Sequence, residues 1–288
     1  MKKEEVVARI LAYHPDLPRY YDHEGACDTW KCGDPQQECT GVVTALSPTV
    51  NVIRRTIELG ANLIICHEPT FYTSADEPGW FEDFPNSVYE EKRRLLEEHQ
   101  IAVWRDHDHM HAHRPDSIFT GVLKYLGWLD SARVEPSKAS PFAHTLVEIP
   151  ETTVADLCRK LKDTLHLNGL RYVGDPEAKV RRLALVGHLM PAESMASRRD
   201  GKPLEYGVEV IDTLERQADV ILPGEVIDWT VLSYVRDAVQ LGKAKAVINL
   251  GHFNWEELGM RYMQEWLSQL VPELPVTYVP SEDLYRFL

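Results

Sequence analysis

The chain has 288 residues, 44% hydrophobic and 26% charged, which excludes wholesale disorder, collagen-like repeats and coiled coil and leaves room for one large domain or two ordinary ones. Its 31 Lys and Arg against 45 Asp and Glu give a formal net charge of −14, a surface that repels phosphate backbones but not cations, so no direct nucleic-acid partner is expected. Apolar runs such as Leu63–Cys66 fall far short of the roughly 20 residues of a membrane span, and Met1-Lys2-Lys3-Glu4-Glu5 lacks the apolar core of a signal peptide; a soluble cytoplasmic protein is expected.

Helical and strand periodicities alternate along the chain, the pattern of an α/β protein. Glu4–Tyr13 reads as a helix with Val6, Val7, Ile10 and Leu11 on its apolar face, and Tyr20–Gln37 as loop. Then follow strand Gly41–Leu46, helix Thr49–Leu59 stopped by Gly60, strand Asn62–Cys66, helix Asn86–Gln100, strand Ile101–Trp104 and helix Asp116–Leu126 ahead of Gly127. Val134–Pro141 reads as a linker. Beyond it come strand Phe142–Ile149, helix Val154–Leu165, strand Arg181–Val186, helix Tyr206–Gln217 and strand Asp219–Leu222. Helix Ile227–Leu241, strand Ala244–Leu250, helix Asn254–Leu270 and strand Val276–Val279 close the chain.

Ile57–Glu68 can be laid over Leu214–Glu225. In both, a helix runs into Ala-Asn or Ala-Asp, an apolar strand and a polar pair, and a long helix and a further strand follow. The overlay predicts two similar α/β lobes, 1–134 and 141–288. The five cysteines, Cys27, Cys32, Cys39, Cys66 and Cys158, form no Cys-x-x-Cys pair and read as reduced thiols, with no zinc knuckle.

The histidines carry the chemistry. His107, His109, His111 and His113 fall within seven residues directly after a strand, and in an extended segment all would point one way. Strand Asn62–Cys66 runs into His67-Glu68-Pro69, and strand Ala244–Leu250 into Gly251-His252, with Glu256 one helical turn on. Ligands of open α/β sheets gather beyond the carboxyl ends of strands. Three strand ends offering imidazole and carboxylate, with no phosphate-binding loop and no nucleophile elbow, favour a metal over the plain reading of capped helix starts and surface histidines.

These segments, together with Val42–Leu46, Gly121-Val122-Leu123 and Gly224-Glu225, resemble the Nif-three-like family, often labelled type-two GTP cyclohydrolase I. The resemblance implies two α/β lobes, each a mixed sheet flanked by helices, with a dinuclear metal site in the cleft between them, and a toroidal homohexamer. The family usually has His-His-Pro where this chain has His67-Glu68-Pro69, and His-Thr-Asn-x-Asp where it has His107-Asp108-His109-Met110-His111. Carried over position by position, the ligands are His67, Glu68, His111, His252 and Glu256: three imidazoles and two carboxylates as usual, with the two types exchanged at 68 and 111. His107 is expected to support them from behind, and Cys66 to face the core.

Nitrogen and carboxylate donors without thiolate suit two divalent ions of zinc, manganese, iron or nickel. Such a pair can activate a bridging water, so the expected function is metal-dependent hydrolysis of a small molecule. The alternative is a non-enzymatic metal chaperone or cofactor-assembly scaffold.

Overall fold

Val42, Val43, Leu63, Ile64, Ala102 and Val103 are all buried, and strands buried along their whole length are what a parallel sheet covered on both faces requires. The structure is a computed structural model. It describes residues 1–14, 27–73, 76, 84–137, 144–189 and 205–288, and the backbone alone at 198–199 and 202–203.

In chain order the first half holds α1 (Lys3–Tyr13), β1 (Trp30–Cys32), β2 (Val42–Ala45), α2 (Val50–Glu58), β3 (Leu63–Cys66), α3 (Ser87–Glu98), β4 (Ala102–Arg105), α4 (Asp108–Ala112), α5 (Ser117–Tyr125) and β5 (Ala132–Glu135). There follow β6 (His144–Thr153), α6 (Val154–Leu165), β7 (Arg171–Val173), β8 (Lys179–Leu185), β9 (Arg198–Arg199), β10 (Lys202–Pro203), α7 (Tyr206–Arg216) and β11 (Val220–Leu222). The chain ends with α8 (Ser233–Gln240), β12 (Ala246–Asn249), α9 (His252–Leu270) and β13 (Val276–Tyr278).

Several expectations shift. The loop expected over 20–37 contains β1, and its part before residue 27 lies outside the described residues. The supposed linker opens on β5, an edge strand paired to β6 and ended by Pro136, which cannot donate to a ladder; residues 138–143 lie outside the described residues. Short β7, with two exposed residues of three, lacks an apolar run to announce it. The helix expected from Ile227 starts as a π-helical turn, Asp228–Leu232, because Thr230 leaves helical backbone at φ −102°, ψ −116°.

The chain forms two compact units: Met1–Val122 with Glu256–Glu282, and Leu123–Trp255 with Asp283–Leu288. The division therefore differs from the expected lobes 1–134 and 141–288, because the end of the chain returns β13 to β2 in the first sheet. That sheet runs β1-β4-β3-β2-β13, and the second runs β5-β6-β8-β11-β12-β7. Within them the path is the same twice. β2, β3 and β4 are parallel neighbours with β1 antiparallel at the β4 edge; β8, β11 and β12 are parallel neighbours with β7 antiparallel at the β12 edge. The overlay of 57–68 on 214–225 places β3 on β11, the middle strand of each trio. Val43, Ile53, Ile64 and Val103 centre the first core, and Ala184, Leu214, Ile221 and Val247 the second. Among the described residues no helix is long and apolar enough to cross a membrane.

Candidate metal centre

Cys66 and Arg105 face each other across β3 and β4, so His67 and Asp106 leave the sheet side by side. Asp106 N donates to Cys66 O at 2.8 Å, and Arg105 Nε to His67 O at 2.8 Å. His67 Nδ1 lies 3.1 Å from the Asp106 carbonyl oxygen.

Past Asp106 the chain coils into α4, against the expected extended segment. The cause lies about 80 residues upstream: the Asp28 carboxylate accepts the backbone N–H groups of His107, Asp108 and His109 at 2.7, 2.9 and 2.8 Å. These donors have no partner inside a helix, and a carboxylate suits the positive end of the helix.

Helical spacing then sorts the four histidines. His107 and His111 share a face with His67, their ring centroids 4.4 Å (His67–His107), 5.0 Å (His67–His111) and 4.9 Å (His107–His111) apart. His109 turns instead to Asp28, and His113 stacks on Tyr13 at 4.9 Å.

Each of the three grouped rings has Nδ1 against an oxygen: the Asp106 carbonyl for His67, Asp108 Oδ1 at 2.8 Å for His107 and Asp116 Oδ2 at 2.9 Å for His111. An Nδ1–H donated there leaves Nε2 as the lone-pair nitrogen, the tautomer that metal-ligating histidines adopt. Burial, and then the neighbouring His67 and His111, hold the His107 pKa well below the ordinary imidazole value. Burial, the largest single influence, opposes charge on His111, but Asp116 together with Glu256 and Asp108 outweighs it and the net shift is upward.

Glu256 arrives from α9, where α5 and α9 touch at two glycines. A Cβ on Gly121 would stand 2.5 Å from Leu258 O, and one on Gly259 would stand 2.7 Å from Ile118 Cα. Glu256 Oε2 lies 3.4 Å from His67 Nε2, with both side chains buried. Glu68 Oε2 stands 4.0 Å from Arg105 Nη2.

Donor atoms of His67, His107 and His111 lie within 4.8 Å of one another, as do those of His67, Glu68 and Glu256. The residues fit a divalent ion. His67 Nε2 is buried with no hydrogen-bond partner among the described residues, and a cation satisfies a lone-pair nitrogen facing a carboxylate. Cys66 packs in the core as expected, its pKa pushed up to about 12 by burial.

Of the five expected ligands, His67, Glu68, His111 and Glu256 thus gather in the first unit. His107, expected behind them, offers a donor atom alongside them. His252 belongs to the second unit. There its Nδ1 lies 3.1 Å from Glu225 Oε1 and its ring 4.5 Å from that of His188. Sequence reasoning passed over His188, although it follows a strand end like the others, and over Asp28. It also passed over Asp116, whose other oxygen accepts from Phe119 N at 3.0 Å and so reads first as the cap of α5.

The sequence profile of the family described as Duf34/NIF3 (NGG1p interacting factor 3) matches residues 2–188. A protein of Clostridium perfringens named GTP cyclohydrolase 1 type 2 homolog is 25% identical over 264 residues, 89% of this chain and 87% of that protein. One of the same name from Clostridium acetobutylicum is 25% identical over 228 residues, 78% of this chain and 75% of its own. Among solved structures, a hypothetical protein of Staphylococcus aureus superposes with a TM-score of 0.71 at 18% identity, covering 100% of this chain and 99% of that one. A Bacillus cereus protein related to NIF3 gives 0.70 at 16% identity, with the same coverage.

Proposed function

The chain belongs to the Duf34/NIF3 family, and we propose that it is a dinuclear metal-binding protein that uses divalent transition-metal ions to hydrolyse a small-molecule substrate. The observation that carries this reading is the set of three imidazoles held through Nδ1 by Asp106, Asp108 and Asp116, beside Glu256.

His67, His107, His111, Glu68 and Glu256 would hold metal in the first unit. When bound, such ions supply Lewis acidity and bring the pKa of the water they hold toward ~7. The chain's own contribution is orientation. The Asp106 carbonyl, Asp108 and Asp116 fix the ring planes, and Arg105 stands against Glu68. The name carried by the two clostridial relatives supports hydrolysis as the reaction class.

One observation favours the alternative of a metal carrier without turnover: His67, His111 and Glu256 are nearly inaccessible to solvent, as stored metal would require. The protein reconstituted with zinc, manganese, iron or nickel and assayed on cyclic amides, nucleotides and phosphoesters decides between them. Turnover lost with His67→Ala supports the hydrolase; no turnover on any of them, with rapid metal transfer to a competing chelator, supports the carrier.

A further inference from the structure

A second group of metal-ligating side chains lies on the other side of α4. Asp28, Asp106 and His109 each offer a donor atom, and the three atoms lie within 4.8 Å of one another. They come from the turn before β1, the end of β4 and the middle of α4. The carboxylates are sealed from solvent, Asp28 at 1% exposure and Asp106 at 0%.

Their hydrogen bonds do not close. Asp28 spends Oδ1 on the N–H groups of His107 and Asp108, and Oδ2 on the N–H and ring of His109. Asp106 Oδ2 accepts from His14 Nε2 at 3.2 Å, with the His14 side chain itself at 0% exposure. Asp106 Oδ1 is buried and meets no donor among the described residues. A buried carboxylate oxygen without a donor is an uncommon and costly state. This oxygen belongs to a group whose neighbours are a second carboxylate and an imidazole.

We propose that Asp28, Asp106 and His109 form a second, buried divalent-cation site, distinct from the centre built on His67. An ion there would supply the partner that Asp106 Oδ1 lacks and match the charge of two carboxylates sharing one sealed space. His14 takes the part usual behind a ligating carboxylate, fixing it through the oxygen turned away from the ion. Two oxygens and one nitrogen suit manganese, iron or zinc. The N–H groups at the start of α4 are already taken up by the Asp28 carboxylate. The site would tie α1, β1 and β4 to the helix that carries His107 and His111.

Manganese alone is the probe. The wild-type chain and the His67→Ala/Glu256→Gln variant are stripped with chelator and titrated with MnCl2, with free Mn2+ counted by electron paramagnetic resonance. The variant should still bind one Mn2+ per chain. Adding Asp106→Asn, which keeps an oxygen for His14 and the carbonyl that holds His67, should weaken that binding by about tenfold or more. No binding in the first variant, or unchanged binding after Asp106→Asn, overturns the proposal. Wild-type crystals soaked in MnCl2 test it without any substitution: anomalous density bounded by Asp28, Asp106 and His109 is expected, and its absence overturns the site even if the variants do not fold. Density at His67 reports on the other centre and leaves this result independent of it.

Discussion

Positions 68 and 111 are the two at which the sequence resemblance implies exchanged ligand types. Glu68 stands in a donor group with His67 and Glu256, and the ring of His111 lies 5.0 Å from that of His67, although the two positions are 43 residues apart in the chain. Glu68→Ala and His111→Ala should each lower metal content measured by plasma emission, whereas Glu68→His with His111→Asp should keep it. Metal content unchanged by His111→Ala would return that residue to the core. Asp116 acts one step back, holding His111 Nδ1. Asp116→Asn should leave the helix cap in place and cost about 10–100-fold in metal affinity, read by competition with a fluorescent chelator.

Away from the site, Lys92 is buried, with Nζ donating to Thr70 O at 2.6 Å, and burial lowers its pKa to about 8. From there up to the unfolded value of about 10.4, the unfolded chain holds a proton the folded one has shed. The Lys92 contribution to stability should therefore rise across that window by up to about 3 kcal/mol and stay level below it. Cys32 and Cys66, pushed up to about 12 by burial, keep protons that the unfolded chain sheds above about 8.5, so they lower stability across the same range. Urea unfolding of wild type and Lys92→Met at pH 7.5 to 10 isolates the Lys92 part, since the cysteines act alike in both: the wild type should gain stability relative to Lys92→Met as pH rises, and a difference flat with pH would show that the Lys92 pKa is not depressed.

Among the elements, α4 and the crossing of α5 with α9 decide the site. α4 has five residues and no side-chain cap from its own N-cap residue, too short to hold a helix by propensity; Asp28 supplies the capping bonds from outside. The crossing depends on absent side chains. At Gly121 a methyl group would meet backbone atoms of α9 at 2.5–2.7 Å, and backbone cannot swing aside. Gly121→Ala should cost about 1–3 kcal/mol of stability and, by displacing Glu256, lower metal affinity as well. Thermal unfolding and metal titration on the same variant check both, and an alanine variant matching wild type in each would show that the helices can separate without consequence.

At the scale of the molecule, one sheet path is used twice. Both parallel trios end in histidine and carboxylate: His67, Glu68 and His107 beyond β3 and β4, and His188, Glu225 and His252 beyond β8, β11 and β12. Doubling of one βαβαβ plan explains why histidine and carboxylate recur together at strand ends along the chain. We propose a homo-oligomer, a hexamer in keeping with the family resemblance. Light scattering should give a mass near six times the 33.0 kDa chain, and a value near one chain at micromolar concentration would exclude assembly.

The order of strands and helices, the paired α/β plan and the strand ends that bear histidines were legible in the sequence, because each follows from local patterning: buried strands are continuous apolar runs, helices repeat every 3.6 residues, and ligands follow strand ends. What tertiary structure alone decided were relations between distant residues. Residues 107–113 carry no local mark of a helix, since the carboxylate that caps it is Asp28, about 80 positions away. The turning of His107 and His111 to one face and of His109 to another follows from that cap. The edge strands β1, β5 and β7 are three or four residues long and gain their identity from a neighbour's open edge. Glu256 joins His67 because a bare glycine crossing lets two helices touch, and glycine leaves no periodic signal. Local chemistry writes elements into the chain, whereas hydrogen-bond closure and packing across the fold choose which side chains meet.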